Sequence, residues 1–168
     1  MYEQLAERNG WDYALQDGRP YFQKNGKYAV PDETTSEEDK LLLAGIIAEG
    51  SKELAQLIIL CWDNGITIGG PCSGIREAHN EPPFYLHFAM SGTEEFILPL
   101  HEQLKEMLPG MCRDPYKAQD GTYKYNIAYV LDGKELSTEE SDKIFKVIRE
   151  QVEQELHKEK EKGANYEH

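Results

Sequence analysis

The residues best suited to chemistry lie close together in Gly69-Gly70-Pro71-Cys72-Ser73-Gly74, with Arg76 and His79 just beyond. Two adjacent glycines permit close backbone approach and positive φ, and Pro71 stiffens a turn. Backbone N–H groups of such a turn, with the Ser73 hydroxyl, can form a nest for an anion such as a phosphate, and Arg76 adds a bidentate positive charge. The segment matches neither a P-loop nor a dinucleotide fingerprint, and its bland alternative is a tight connection between two strands. Cys72 and His79 also admit two catalytic readings. As nucleophile and base they need a low-pKa thiolate and a third, orienting group. As metal ligands they need two more partners, and the chain has no CxxC or HxxxH spacing. No metal, no cofactor and no catalytic set is therefore expected, and an enzyme built on Cys72 and His79 ranks third among the functional readings.

Aromatic residues add a second clue. Tyrosines number 10, against 5 Phe and 2 Trp, so the aromatic surface is of the amphipathic kind. Tyr123, Tyr125, Ile127 and Tyr129 alternate onto one face of a strand, and Tyr85 shares a face with His87. A tyrosine ring gives flat stacking area with a polar tip, useful for gripping a base or ribose, and serves equally as a half-buried sheet residue. The candidate ligand-binding set is Gly70, Cys72, Ser73, Gly74, Arg76, His79, Tyr85, His87 and Tyr125, the ingredients of a nucleotide-type pocket.

The elements that must hold these residues follow from local signals. Residues 1–35 form a tyrosine-rich N-terminal arm or hairpin, with Asn25-Gly26 turning between Tyr21-Phe22 and Tyr28-Ala29-Val30. Ser36 caps a helix through Leu41 to Ile47, with Glu37, Glu38 and Asp39 facing the positive end of its dipole. Gly50 interrupts, and Ser51 caps a second helix, Leu54 to Trp62, in which Gln56 is the sole polar residue; a helix so apolar belongs in a core. Asn64-Gly65 supplies its left-handed exit. Ile66-Thr67-Ile68 reads as a short strand and Phe84 to Met90 as a longer one, separated by an irregular segment. Thr93 opens a helix to about Leu108, with a kink or restart at Pro99. Tyr123 to Leu131 is a strand paired with residues near Met111 to Tyr116 across Gln119-Asp120-Gly121. Ser137 and Glu140 form a capping box, and Phe145, Ile148, Val152 and Leu156 stripe the helix that follows. The order α-α-β-β-α-β-β-α predicts an α+β fold: a two-layer sandwich with a largely antiparallel sheet of about four strands and helices on one face. Residues 36–162 form this single domain, and residues 163–168 form a tail.

Composition narrows the class of function. At 168 residues the chain suits one domain, and 39% hydrophobic with 29% charged residues supports a folded core. The formal charge of −13 is spread along the chain and has the wrong sign for direct nucleic-acid or anionic-membrane binding. No window reaches the apolar length of a membrane span, and the N-terminus lacks the pattern of a signal peptide. Three cysteines cannot all pair within one chain, which fits a reducing cytoplasm.

At Gly50-Ser51, Leu57, Cys61-Trp62-Asp63-Asn64-Gly65-Ile66-Thr67 and Cys72-Ser73-Gly74 the chain resembles a set of small phage and prophage proteins of Gram-positive bacteria. In these a helix ending in a Trp-x-Asn-Gly-Ile turn leads to a strand and a Cys-x-Gly loop, commonly followed by histidine where this chain has Ile75. The resemblance spans a quarter to a third of the chain and implies a phage setting in the cytoplasm of a bacterial host. As a class, small acidic phage proteins resemble inhibitors of bacterial immunity. The leading expectation is thus a counter-defence protein that sequesters a small nucleotide-type immune signal without chemistry, with homo-oligomerisation through apolar helices completing its pockets. The alternative is an acidic protein–protein inhibitor whose surface mimics nucleic acid and docks on a basic host defence nuclease.

Overall fold

A computed structural model describes residues 1–16, 18–75, 84–131 and 136–166. In chain order its elements are α1 (Tyr2–Asn9), β1 (Asp12–Gln16), β2 (Arg19–Lys24), β3 (Lys27–Tyr28), α2 (Glu37–Ile47), α3 (Lys52–Asp63), β4 (Thr67–Ser73), β5 (Phe84–Gly92), α4 (Glu94–Met107), β6 (Tyr116–Lys117), β7 (Tyr123–Leu131) and α5 (Thr138–Tyr166). From residue 36 onward this is the expected α-α-β-β-α-β-β-α order. The fold is α+β, with every strand pair within the named sheets antiparallel.

Local chemistry explains the helix boundaries. The Ser36, Ser51 and Thr93 hydroxyls accept from the N–H groups of Asp39, Leu54 and Phe96, each satisfying a donor that the first turn leaves open. At α5 the box is reciprocal: Glu140 N–H donates to Ser137 Oγ at 3.1 Å, and Ser137 N–H donates to the Glu140 carboxylate at 3.2 Å. α4 is one helix through Pro99, so it does not restart there. α5 continues to Tyr166.

The larger sheet has the order β4-β5-β7-β6, and its long central pair, β5 with β7, keeps register from Phe84↔Leu131 to Gly92↔Tyr123. One face packs against α3, α4 and α5. There Leu57, Ile58, Leu86, Phe88, Ile97, Leu100, Ile127, Phe145 and Ile148 are all fully buried. Phe88 meets Phe145 edge-to-face at 6.5 Å, an aromatic contact at the centre of the sandwich. On α3, Leu54, Leu57, Ile58 and Cys61 are the residues buried in this core, all at 0% exposure.

The N-terminal region is more structured than a hairpin. β1-β2-β3 form a separate three-stranded antiparallel sheet, turned at Asn25-Gly26, where both residues take positive φ as a two-residue hairpin turn requires. α1 precedes it, ending at Gly10 in the left-handed conformation. Together α1 and this sheet build a second small core of Leu5, Ala6, Trp11, Phe22 and Ala29 against Leu43 of α2. A polar clamp secures the packing: Arg8 grips Asp39 through Nη2 at 2.8 Å and Nε at 3.3 Å, and Asn9 donates to the same carboxylate at 2.9 Å. These bonds hold the Asp39 carboxyl below the usual range. Among the described residues no helix is long and apolar enough to cross a membrane.

Candidate functional site

Where the N-terminal sheet meets α2 and the edge strand β4, the two layers leave a cavity of about 500 Å³. This volume lies within the usual range for small-molecule sites. Its apolar wall comes from Leu43, Ile46 and Ile47 of α2, Trp62 of α3 and Phe22 of β2. Tyr21 and Tyr28 stack with centroids 6.4 Å apart and planes 30° from parallel, and Tyr28, 60% exposed, forms the rim. The remaining side is the glycine-rich stretch of β4: Ile68, Gly70, Pro71 and Cys72.

That stretch is a bulged strand, not the loop expected after Ile68. Pairing runs Gly69↔Ala89 and resumes at Cys72↔His87, so β4 carries one residue more than β5 between these points. Gly70 supplies the positive φ of +53° that the bulge needs, and Pro71 contributes no N–H. A β-carbon at position 70 would sit 3.4 Å from His87 Nδ1. The imidazole closes over the bulge, and because a carbonyl can only accept, its Nδ1–H donates to Gly70 O at 2.8 Å.

The polar end of the cavity is formed by Arg19 and Glu49. Arg19 Nη1 lies 3.5 Å from Glu49 Oε1, with the side chains 31% and 17% exposed. Burial pushes the Glu49 carboxyl up to about 7, against the opposing pull of Arg19. Glu49 also adopts the left-handed backbone, φ +50°, at a position where glycine would be relaxed. Ser73 Oγ fixes this corner by donating to the Glu49 carbonyl at 3.3 Å, while Ser141 Oγ on α5 donates to the Ser73 carbonyl at 2.8 Å. Cys72 stands beside the pair. Burial and the neighbouring Glu49 raise its thiol pKa despite a hydrogen bond with Arg19, which disfavours the thiolate.

Of the residues singled out from sequence, Gly70 and Cys72 line the cavity and His87 buttresses its bulged wall. Ser73 is fully buried, its hydroxyl committed to the Glu49 carbonyl and to Ile75 N–H, so it is not an anion-nest donor. Gly74, φ +76°, gives its carbonyl to Leu136 N–H. Tyr125 is not brought to the cavity. It lies at 0% exposure in the main core, its hydroxyl 3.1 Å from His101 Nδ1, because the face of β7 that carries it is the one covered by helices. Arg76 and His79 lie outside the described residues, as does the side chain of Tyr85. Ile75, in the place of the histidine of the phage pattern, is buried and bridges to Leu136. Among the described residues no group of three His, Cys, Asp or Glu side chains is placed to hold a metal ion.

Sequence reading missed Arg19 and Glu49. Arg19 sits inside a Gly-Arg-Pro turn signal, and Glu49 precedes a helix-ending glycine; neither spacing marks a site. The tyrosine-rich arm was the usable signal, since Tyr2, Tyr21 and Tyr28 all reach the cavity. No protein-family model, no curated protein and no solved structure matches this chain.

Proposed function

We propose that this chain is a binding protein that encloses a small nucleotide-type molecule in the cavity between its two sheets and acts by sequestration. The observation that carries this reading is the cavity itself. Its volume of about 500 Å³ can take a nucleoside-sized ligand, its walls offer stacked tyrosines and a tryptophan, and its lining includes one guanidinium beside one carboxyl group. The burial that disfavours a Cys72 thiolate supports binding over thiol chemistry. With the resemblance to phage proteins, the ligand class becomes a nucleotide signal of bacterial immunity, held in the host cytoplasm by a protein able to complete its pockets as a homo-oligomer.

The test is to purify the protein from cells with active nucleotide-based defence signalling, denature it and identify released small molecules by mass spectrometry. A stoichiometric nucleotide, lost when Ile46→Trp fills the cavity, is the expected result. An empty protein that shows no thermal shift with a nucleotide panel overturns the proposal.

The second reading, an acidic inhibitor of a basic nuclease, draws support from the exposed Asp32 and Glu33 ahead of α2 and Glu37 and Glu38 in its first turn. It predicts a protein complex whose affinity falls steeply with salt. The outer surface of α5 alternates acids with Lys143, Lys146, Lys158, Lys160 and Lys162, which favours the cavity over a continuous acidic face.

A further inference from the structure

Depth sorts the lining of the cavity by chemistry. Phe22, Ala29 and Leu43 are its buried members, all apolar, and the partly buried Ile46, Ile47 and Trp62 continue the same wall. Tyr28 and Val30, each more than half exposed, mark the mouth. A heteroaromatic ring gains contact area against such a wall, whereas an anion placed there gives up its hydration for apolar neighbours. The features best suited to a phosphate have other duties. In the bulge of β4 the Gly70 carbonyl accepts from His87 Nδ1–H at 2.8 Å, and Pro71 has no N–H to offer. The Ser73 hydroxyl serves the Glu49 carbonyl and Ile75 N–H. Arg19, the cation among the described lining residues, lies 3.5 Å from the Glu49 carboxyl group and hydrogen-bonds Cys72. A phosphate reaching that guanidinium meets a like charge whenever Glu49 is ionised, and the formal charge of −13 on the whole chain adds to the repulsion.

We propose that the ligand enters ring first: its heteroaromatic ring lies between the Tyr21–Tyr28 pair and the α2 wall of Leu43, Ile46 and Ile47, and any phosphate stays at the mouth, in water. This inference rests on the cavity being the nucleotide site. It names the class that site accepts, which is nucleosides as readily as their phosphates. The stacked tyrosines supply the grip, since their rings are 6.4 Å apart and 30° from parallel and leave the outer face of Tyr28 in reach of a third ring. Affinity is then set by the rim aromatic Tyr28 and the apolar wall, and the protein's own charge makes each added phosphate a small penalty that salt removes.

Matched pairs of ligands test it. Adenosine, guanosine, cytidine and uridine, each beside its own 5′-monophosphate, are titrated into the full-length protein by calorimetry near pH 8, where Glu49 is mostly ionised. Each pair is measured at about 20 mM and about 500 mM salt, on either side of effective screening. For the base that binds best, nucleoside and monophosphate are expected to agree within about threefold at high salt, with the nucleoside favoured at low salt. Tyr28→Ala, a change at an exposed position, is expected to weaken both members of the pair alike by roughly tenfold or more, the loss of one stacking partner. Circular dichroism and cooperative unfolding confirm that this variant keeps its fold. A monophosphate bound more than about threefold tighter than its nucleoside, at either salt concentration, overturns the ring-first placement and leaves the enclosure of a nucleotide standing. Unchanged affinity in Tyr28→Ala overturns that placement in the same way. Binding of no nucleoside, together with no thermal shift from any nucleotide, overturns both.

Discussion

Glu49 ties stability to pH in a direction opposite to most carboxylates. Burial at the cavity end raises its folded-state pKa from the usual 4.5 to about 7. The folded protein therefore holds a proton on this group through a pH range in which the unfolded chain has released it, and stability falls as pH rises. The contribution is fully present below about 4.5 and is lost as pH passes through about 7. At roughly 1.4 kcal/mol for each tenfold change in proton affinity, the ceiling is about 3 kcal/mol. Partial solvent access brings the expected effect to about 2 kcal/mol. Glu49→Gln removes the titration and keeps the shape. Urea unfolding of both proteins from pH 4 to pH 8 isolates the group, because every other titration cancels in the difference. Relative to the variant, the wild type should lose about 2 kcal/mol between pH 4.5 and pH 8, equivalent to several degrees in Tm for a chain of this size. A flat difference refutes the buried placement of Glu49. A difference that grows in favour of the wild type with rising pH shows that attraction to Arg19 outweighs desolvation and refutes the reasoning altogether.

Asp39 has the opposite sign: its carboxyl is held down by Arg8 and Asn9, so its stabilisation is present above about 3.8 and is lost as pH falls through the lower folded value. Asp39→Ala should cost about 1–2 kcal/mol, discounted for the exposed Arg8, and should speed hydrogen exchange in α1 and the N-terminal sheet before the main core; unaltered exchange there counts against the clamp. Cys72 should react with iodoacetamide at pH 7 more slowly than a free thiol, since burial and Glu49 disfavour its thiolate; rapid labelling would reinstate the thiol-enzyme reading. Ser137→Ala should lower stability by about 1 kcal/mol through loss of the reciprocal cap on α5, checked by chemical denaturation. Gly70→Ala should cost about 1 kcal/mol, because the bulge holds position 70 in the left-handed region against the His87 ring; a neutral result refutes the strained-bulge description.

Sequence alone determined what depends on neighbours a few residues away. Ser36, Ser51, Thr93 and Ser137 announced their helices because a hydroxyl meeting an N–H three residues on is a local event. Asn25-Gly26 announced a hairpin because positive φ at both turn positions admits few residue types. The near-continuous apolar run of α3 announced a core helix for the same kind of reason. α1 escaped notice, although Leu5 and Ala6 followed by Gly10 carry a helix-and-stop signal, because a short element gains its stability from packing on α2 more than from its own sequence. Tertiary structure alone decided the rest. The Gly69–Cys72 segment became a bulged strand because β5 supplied a pairing partner that its own residues could not specify. Tyr125 went to the core because helices cover that face of β7, whereas alternation along a strand divides residues into two faces without saying which one meets water. Arg19 and Glu49, thirty positions apart, meet because two sheets and a helix end converge there. Such a meeting leaves no spacing in the chain, since the distance between them is set by packing and not by the backbone that joins them.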